Sequence, residues 1–232
     1  MEGKTIIITG ANCGIGEATA LELARRKARV ILACRDTVSV PYSKTEDGFE
    51  TQMGINHFGH FLLTNLLLDL LKKSEQSRII VVSSALHKGG HINFDDINSE
   101  KGYDKKKAYR NSKLANALFS RELSQRLEGS GVSVYCVHPG MVATNLGRHV
   151  MNPLLRRLLT PLLILLGIKT AEEGCQTIIY CALAPELKGI SGGYFGSCRQ
   201  EPWTEAASDL GAAKKLWELS EKLTGLTVPG DC

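Results

Sequence analysis

The 232-residue chain has no Cys-x-x-Cys pair, no internal repeat, no low-complexity tract and no dense run of one charge. Its seven cysteines, at 13, 34, 136, 175, 181, 198 and 232, are odd in number and scattered. That spacing argues against a disulfide frame or a zinc site and reads as reduced thiols in a cytosol-facing protein. Twenty-eight Lys and Arg against 24 Asp and Glu give a net charge of +4, spread too evenly for a nucleic-acid-binding stripe. Lys105-Lys106-Lys107 reads as the solvated start of a helix. His57 and His60 stand three apart without a second ligand pair, so no metal site is expected. The longest apolar run, Leu158 to Ile168, is interrupted by Thr160, Pro161 and Gly167 and is too short to span a bilayer. Strand-like sequence begins by Lys4, which leaves no signal peptide and makes a cytoplasmic location the expectation.

What is present is an ordinary soluble composition, 43% hydrophobic and 22% charged, in a length that suits one α/β domain over residues 1–232. Lys4 to Thr9 is a continuous apolar run, as in a strand buried on both faces of a parallel sheet. Gly10-Ala11-Asn12-Cys13-Gly14-Ile15-Gly16 follows, then a helical pattern through Ala18, Leu21, Leu23 and Ala24, and a second strand, Arg29 to Cys34. In such a βαβ unit the glycines permit a tight turn and close approach of the backbone to a pyrophosphate, which the helix N-terminus attracts. After the second strand a carboxylate would hold the ribose hydroxyls of NAD, and a cation the 2′-phosphate of NADP. Arg35 favours NADP, with Asp36 turned to solvent. A long helix is expected from Thr45 to Lys73, with Phe58, Phe61, Leu62, Leu66 and Leu70 on one face. Further strands are expected at 78–84, 132–137 and near Tyr194-Phe195, and helices at about 153–166, 170–184 and 204–224. Alternation of this kind predicts a doubly wound parallel sheet.

Tyr109 and Lys113 open another helical pattern, running on through Leu127, and four residues apart they share one face. A nearby ammonium favours phenolate and would lower the tyrosine pKa toward the range of a general acid/base. Tyr-x-x-x-Lys alone arises often by chance. Its weight here comes from the glycine-rich turn and from Ser83-Ser84 upstream.

Together, Thr9 to Gly16, Ser83-Ser84, Tyr109-x-x-x-Lys113 and Pro139 to Thr144 resemble the short-chain dehydrogenase/reductase superfamily, whose serine–tyrosine spacing suits the 25 residues from Ser84 to Tyr109. Cys34-Arg35-Asp36, Asn56 to Phe61, Ser112 to Asn116 and His138-Pro139-Gly140 resemble more narrowly its retinol dehydrogenase/retinal reductase subgroup. The resemblance implies hydride transfer between a nicotinamide and a carbonyl or alcohol carbon. It implies that Tyr109 exchanges the proton, Ser84 orients the substrate oxygen, and Lys113 tunes Tyr109 and binds the nicotinamide ribose. Asn56 would hold a water of the proton relay. Gly10, Asn12, Cys13, Gly14, Ile15, Gly16 and Arg35 would bind NADPH, with Pro139, Gly140, Val142 and Thr144 beside the nicotinamide. The apolar segment 153–166 lies where the family covers its substrate cleft, which fits a retinoid or a similar apolar alcohol or aldehyde. Peripheral contact with a membrane, with Arg148, Arg156 and Arg157 near lipid phosphates, and packing on the chain itself or a dimer mate stay open for it.

The resemblance has a gap. After Asp36 the family continues through two more βα units that carry its third and fourth strands, whereas Thr37-Val38-Ser39-Val40 leads straight to Pro41-Tyr42-Ser43-Lys44. The chain resembles an internally deleted or alternatively spliced form, truncated near 37–40. The absent fourth strand should leave a hole or a re-paired sheet, with apolar surface exposed. Two functional readings follow. One is an NADP(H)-dependent oxidoreductase. The other is a catalytically impaired protein that dimerises through the helices holding Asn56 and Tyr109.

Overall fold

A computed structural model describes residues 1–34, 42–142 and 168–226. The expectations for Arg35, Asp36, the junction at 37–40, Thr144, Arg148, the 153–166 helix and Cys232 therefore lie outside the described residues. Strands and helices alternate in an α/β arrangement. The described residues form two compact units.

The first unit comprises 1–34, 139–142, 168–184 and 196–199 of the described residues. Its β1 (Thr5–Thr9) and β2 (Arg29–Ala33) pair in parallel, with Ile7 opposite Ile31. They are linked by α1 (Gly14–Arg25). The helix later in the sequence, α5 (Ala171–Leu183), starts at a capping box in which Thr170 and Glu173 satisfy each other's backbone N–H groups. Leu23, Cys175 and Ile179 make a small core with Ile6, Ile8 and Val30. The expectation that β1 is buried on both faces is corrected. Ile7 and Ile31 are 44% and 42% exposed, because among the described residues α1 and α5 cover one side only.

The second unit comprises 42–138, 185–195 and 200–226. The expected long helix starts at Thr51, not Thr45. Residues 45–49 form a turn in which the Thr45 N–H donates to the Phe49 carbonyl. Glu50 then caps α2 (Thr51–Met53) by accepting from the Gln52 and Met53 N–H groups. A π turn, Gly54–Phe58, follows, and then α3 (Gly59–Lys73). Phe58 and Phe61 are buried, but Leu66 and Leu70 are exposed, which corrects the single apolar face. At about 100° per residue they stand roughly 140° and 180° around the helix from Phe61, and Leu68 and Leu71 take the inner positions.

The strand β3 (Arg78–Val82) is followed by a short 3₁₀ helix, Ala85–Gly89, then by α4 (Lys105–Arg126) and β4 (Ser133–His138). Asp104 caps α4 through the Lys106 and Lys107 N–H groups, so the lysine triplet does open a helix. β3 and β4 pair in parallel, and the four-stranded sheet runs β3-β4-β5-β6, with β5 at Gly193–Gly196 and β6 at Arg199–Glu201. The sequence pattern missed β6, a three-residue strand reached through Ser197 and Cys198, both at left-handed φ. The terminal helix is split into α6 (Glu205–Ser208) and α7 (Leu210–Thr224), because Asp209 leaves the helix and caps the second piece. Phe61, Phe119 and Trp217 pack ring on ring, with centroids 4.9–5.8 Å apart, tying α3, α4 and α7 into one core. No described helix is long and apolar enough to cross a membrane.

The described strands thus lie in two sheets, β1-β2 and β3-β4-β5-β6. Where the missing fourth strand left a choice between a gap and a re-paired sheet, no re-pairing is seen among the described residues.

Candidate active site

The second unit gathers Ser84 at the carboxyl end of β3 with Tyr109 and Lys113 in the first turns of α4, and Asn56 reaches α4 from the π turn. Tyr109 and Lys113 lie one turn apart, with the Lys113 ammonium 5.9 Å from the centre of the phenol ring. That ammonium is buried, although the residue is part-exposed overall, and its Nζ donates to the Val82 carbonyl at 3.1 Å. Asn116 Nδ2 donates to the same carbonyl at 3.1 Å, which fixes α4 against the end of β3. Burial lowers the Lys113 pKa to about 8.

Burial also pushes the Tyr109 phenol up from its ordinary value, while its hydrogen bond with Ser84 pulls the other way. The expected lowering by Lys113 is corrected: desolvation of the phenolate outweighs every favourable contact, and the ammonium is turned to the Val82 carbonyl. At neutral pH the pair is therefore phenol and ammonium.

The two serines separate cleanly. Ser83 is buried, and its hydroxyl donates to the Lys113 carbonyl at 2.7 Å, a bond that holds the helix. Ser84 is the one bonded to Tyr109. It also caps the 3₁₀ helix, accepting from the Leu86 N–H at 3.2 Å.

Asn56 lies inside the π turn, where the widened helix aims its amide at α4. Its Nδ2 donates to Ser112 Oγ at 3.0 Å, and Ser112 Oγ donates to the Tyr109 carbonyl at 2.9 Å. Its carbonyl accepts from His60 Nδ1 at 3.0 Å. The His57/His60 pair points apart. His57 Nε2 donates to Ser220 Oγ at 2.8 Å in the core, because the Ser220 hydroxyl is already donated to Leu216. Burial drops its pKa to about 3.

Sequence reasoning missed Ser112, whose only signal was its place between Tyr109 and Lys113. It also missed His87. The His87 ring is fully buried and bonds the carbonyl of Ser84.

The first unit gathers the glycine-turn residues with the 139–142 segment. A Cβ on Gly16 would sit 2.2 Å from the Gly10 carbonyl oxygen, so only glycine allows α1 to start this close to β1. Cys13 is the N-cap of α1 and offers no side-chain bond to its N–H groups. No side chain of the N-cap competes for those donors, a condition that a phosphate site at a helix start needs. Asn12 is exposed on the turn, while Cys13, Gly14 and Ile15 are part-exposed. Val142 bridges in parallel to Lys169, and a Cβ on Gly174 would lie 2.7 Å from Val142 and 3.4 Å from Ile15. Val142 is thereby packed beside the glycine turn, with Pro139 and Gly140 leading into it.

The sequence profile described as short chain dehydrogenase matches residues 36–153. Retinol dehydrogenase 14 of Mus musculus is 45% identical over 291 aligned residues, covering 97% of this chain and 87% of that protein. Retinol dehydrogenase 12 of Homo sapiens is 41% identical over 282 residues, covering 97% and 88%. Since 97% of 232 residues is about 225, some 60 aligned positions of these relatives have no counterpart here. The crystal structure of an uncharacterized protein from Mycobacterium Paratuberculosis superposes with a TM-score of 0.76 at 33% identity, covering 97% of this chain and 94% of that one. The 3-alpha-hydroxysteroid dehydrogenase from Pseudomonas sp. B-0831, complexed with NADH, shares the fold at a TM-score of 0.63 and 20% identity, covering 83% and 94%. With relatives above 40% identity along nearly its whole length, this chain belongs to the short-chain dehydrogenase family.

Proposed function

We propose that this chain is an NADP(H)-dependent oxidoreductase that interconverts retinol and retinal, or similar apolar alcohols and aldehydes. The observation that carries the proposal is a phenol bonded to Ser84 with a buried ammonium one helical turn away. The close-packed glycine turn and the uncapped start of α1 fit the pyrophosphate of a dinucleotide, and Arg35 is the reason to choose NADP over NAD. The retinoid substrate class rests on the named relatives and on the apolar sequence of 153–166.

A bound nicotinamide supplies or accepts the hydride. The chain's own residues handle the proton. Tyr109, held neutral by burial, donates to the oxygen of a carbonyl substrate, and Ser84 orients that oxygen with its hydroxyl. Lys113 keeps positive charge beside the phenolate that forms, and its pKa near 8 leaves it mostly protonated at neutral pH. Asn56 steadies the turn that carries Tyr109 by way of Ser112.

The test is thermal-shift titration with NADPH and with NADH, followed by retinal-dependent oxidation of NADPH. A larger shift with NADPH and measurable turnover are expected. No shift and no turnover, in a chain whose longer counterpart with the two βα units restored is active, defeats the enzyme reading.

The exposed Leu66 and Leu70 on α3 favour a second reading, a non-enzymatic protein that dimerises there. The Tyr109 helix gives this reading no support, because its apolar face is taken up by Trp217 and Leu216 of the same chain. A monomer in sedimentation at all concentrations removes it.

A further inference from the structure

We propose that His87 is a positioning residue that fixes Ser84 for its bond to Tyr109. The inference rests on the reading above in which Ser84 and Tyr109 share the substrate oxygen.

Ser84 stands where β3 has ended and the 3₁₀ helix has begun, in extended backbone at φ −151° and ψ 150°. A strand end is free to swivel, so something has to hold its carbonyl if the hydroxyl is to keep one direction. His87 does so with both of its donors. Its backbone N–H reaches the Ser84 carbonyl at 3.0 Å and its Nδ1 reaches the same oxygen at 2.7 Å. A carbonyl accepts only, so Nδ1 carries the proton.

The far side of the ring fits the same tautomer. Nε2 lies 3.1 Å from Thr204 Oγ1. That oxygen accepts the Ala207 N–H at 3.3 Å as the cap of α6, which leaves the threonine proton for Nε2. The ring is wholly buried and meets Tyr194 edge-on, with centroids 5.2 Å apart at 86°. Burial holds the imidazole neutral, as the arrangement needs. Both nitrogens are thus used, each in one sense, and the ring connects Ser84 to Thr204, 117 positions beyond His87.

A histidine that merely filled the core would not care which nitrogen was kept. The experiment therefore compares His87→Asn, whose amide N–H stands where Nδ1 was, with His87→Gln, whose amide reaches only as far as Nε2. The readout is the ionisation midpoint of Tyr109, followed through the ¹³Cζ resonance of labelled tyrosine, assigned with Tyr109→Phe and scaled by Ser84→Ala. Ser84→Ala is expected to raise the midpoint, since the serine bond is what lowers it. His87→Gln should raise it by at least half as much, and His87→Asn should leave it near the wild-type value. Thr204→Val should give a smaller rise. In the wild-type protein, ¹⁵N shifts of the imidazole should report an Nδ1–H tautomer. An Nε2–H tautomer overturns the proposal without any variant, and so does a wild-type midpoint in His87→Gln. None of these readouts needs turnover, so an inactive wild-type chain would sink the enzyme reading and leave this result to be judged separately.

Discussion

The two sheets among the described residues contain equally apolar strands and treat them differently. β1 reads Thr-Ile-Ile-Ile-Thr, yet its central Ile7 is nearly half exposed. β4 reads Ser-Val-Tyr-Cys-Val-His, and every residue after Ser133 is buried. The difference is neighbours. β4 lies between β3 and β5 and beneath α4, whereas among the described residues β1 has one strand beside it and helices on one face. Apolar sequence states what a strand would gain from cover, about 25 cal/mol for each Å² removed from water, but it does not supply the cover. The unit that holds Ser84, Tyr109 and Lys113 is the completed one. The unit that holds the glycine turn is the one from whose sequence two βα units are missing.

The sharpest test of that comparison works inside the completed unit, where function and stability should pull apart. Tyr109→Phe removes the proton donor, and carbonyl reduction should fall by about 10²- to 10⁴-fold while the melting temperature hardly moves. Lys113→Met should abolish activity to a similar degree yet stabilise the fold. A buried ammonium whose pKa falls from 10.5 to about 8 opposes folding at neutral pH by up to about 3 kcal/mol. The sign follows from proton counts. Between pH 8 and 10.5 the unfolded chain holds a proton that the folded chain has lost, so this residue makes wild-type stability rise with pH across that window. Urea denaturation at pH 7 and pH 10 should show that rise in the wild type and none of it in Lys113→Met.

Next in size are two leucine-or-larger truncations on one helix. Phe61→Ala removes the ring shared by α4 and α7 and should cost about 3–5 kcal/mol. Leu66→Ala, one and a half turns on, should stay within about 0.5 kcal/mol. In the first unit, Gly16→Ala drives a methyl into the Gly10 carbonyl and should cost about 1–3 kcal/mol. Its diagnostic effect is loss of the NADPH-induced thermal shift, with the near-UV signal of Trp203 and Trp217 unchanged.

Much of this was legible in the residues. The strand–glycine-turn–helix–strand order, the helix of Tyr109 and Lys113, and the Ser84–Tyr109 spacing all carry local signals, because spacing along one helix or turn fixes geometry directly. The π turn at Asn56 did not, since one extra residue per turn leaves no periodic mark in five positions. Nor did the upward shift of Tyr109. Whether an ammonium or desolvation wins depends on how deeply the phenol is buried and on where the ammonium points, and both are tertiary facts. His87 was invisible for the same reason, as its second partner lies 117 residues away. Asp209 could have been read, because an aspartate before a helical pattern is a cap signal wherever it occurs.

The smallest expected effect is the one that decides whether the bare sheet face is real. Ile31 sits opposite Ile7, and both are exposed, so a charge at 31 loses little packing. Ile31→Lys should change stability by no more than about 0.5 kcal/mol. It should also lower self-association in concentration-dependent sedimentation, because the apolar patch is interrupted. The same substitution at Val134, fully buried on β4, forces a charge into the core and should prevent folding of that unit. If Ile31→Lys instead destabilised the chain by more than about 2 kcal/mol, as loss of a well-packed side chain does, Ile31 would have to be covered in solution. The contrast between a finished sheet and an unfinished one would then be false, and the first unit would have found cover of its own for the missing strands.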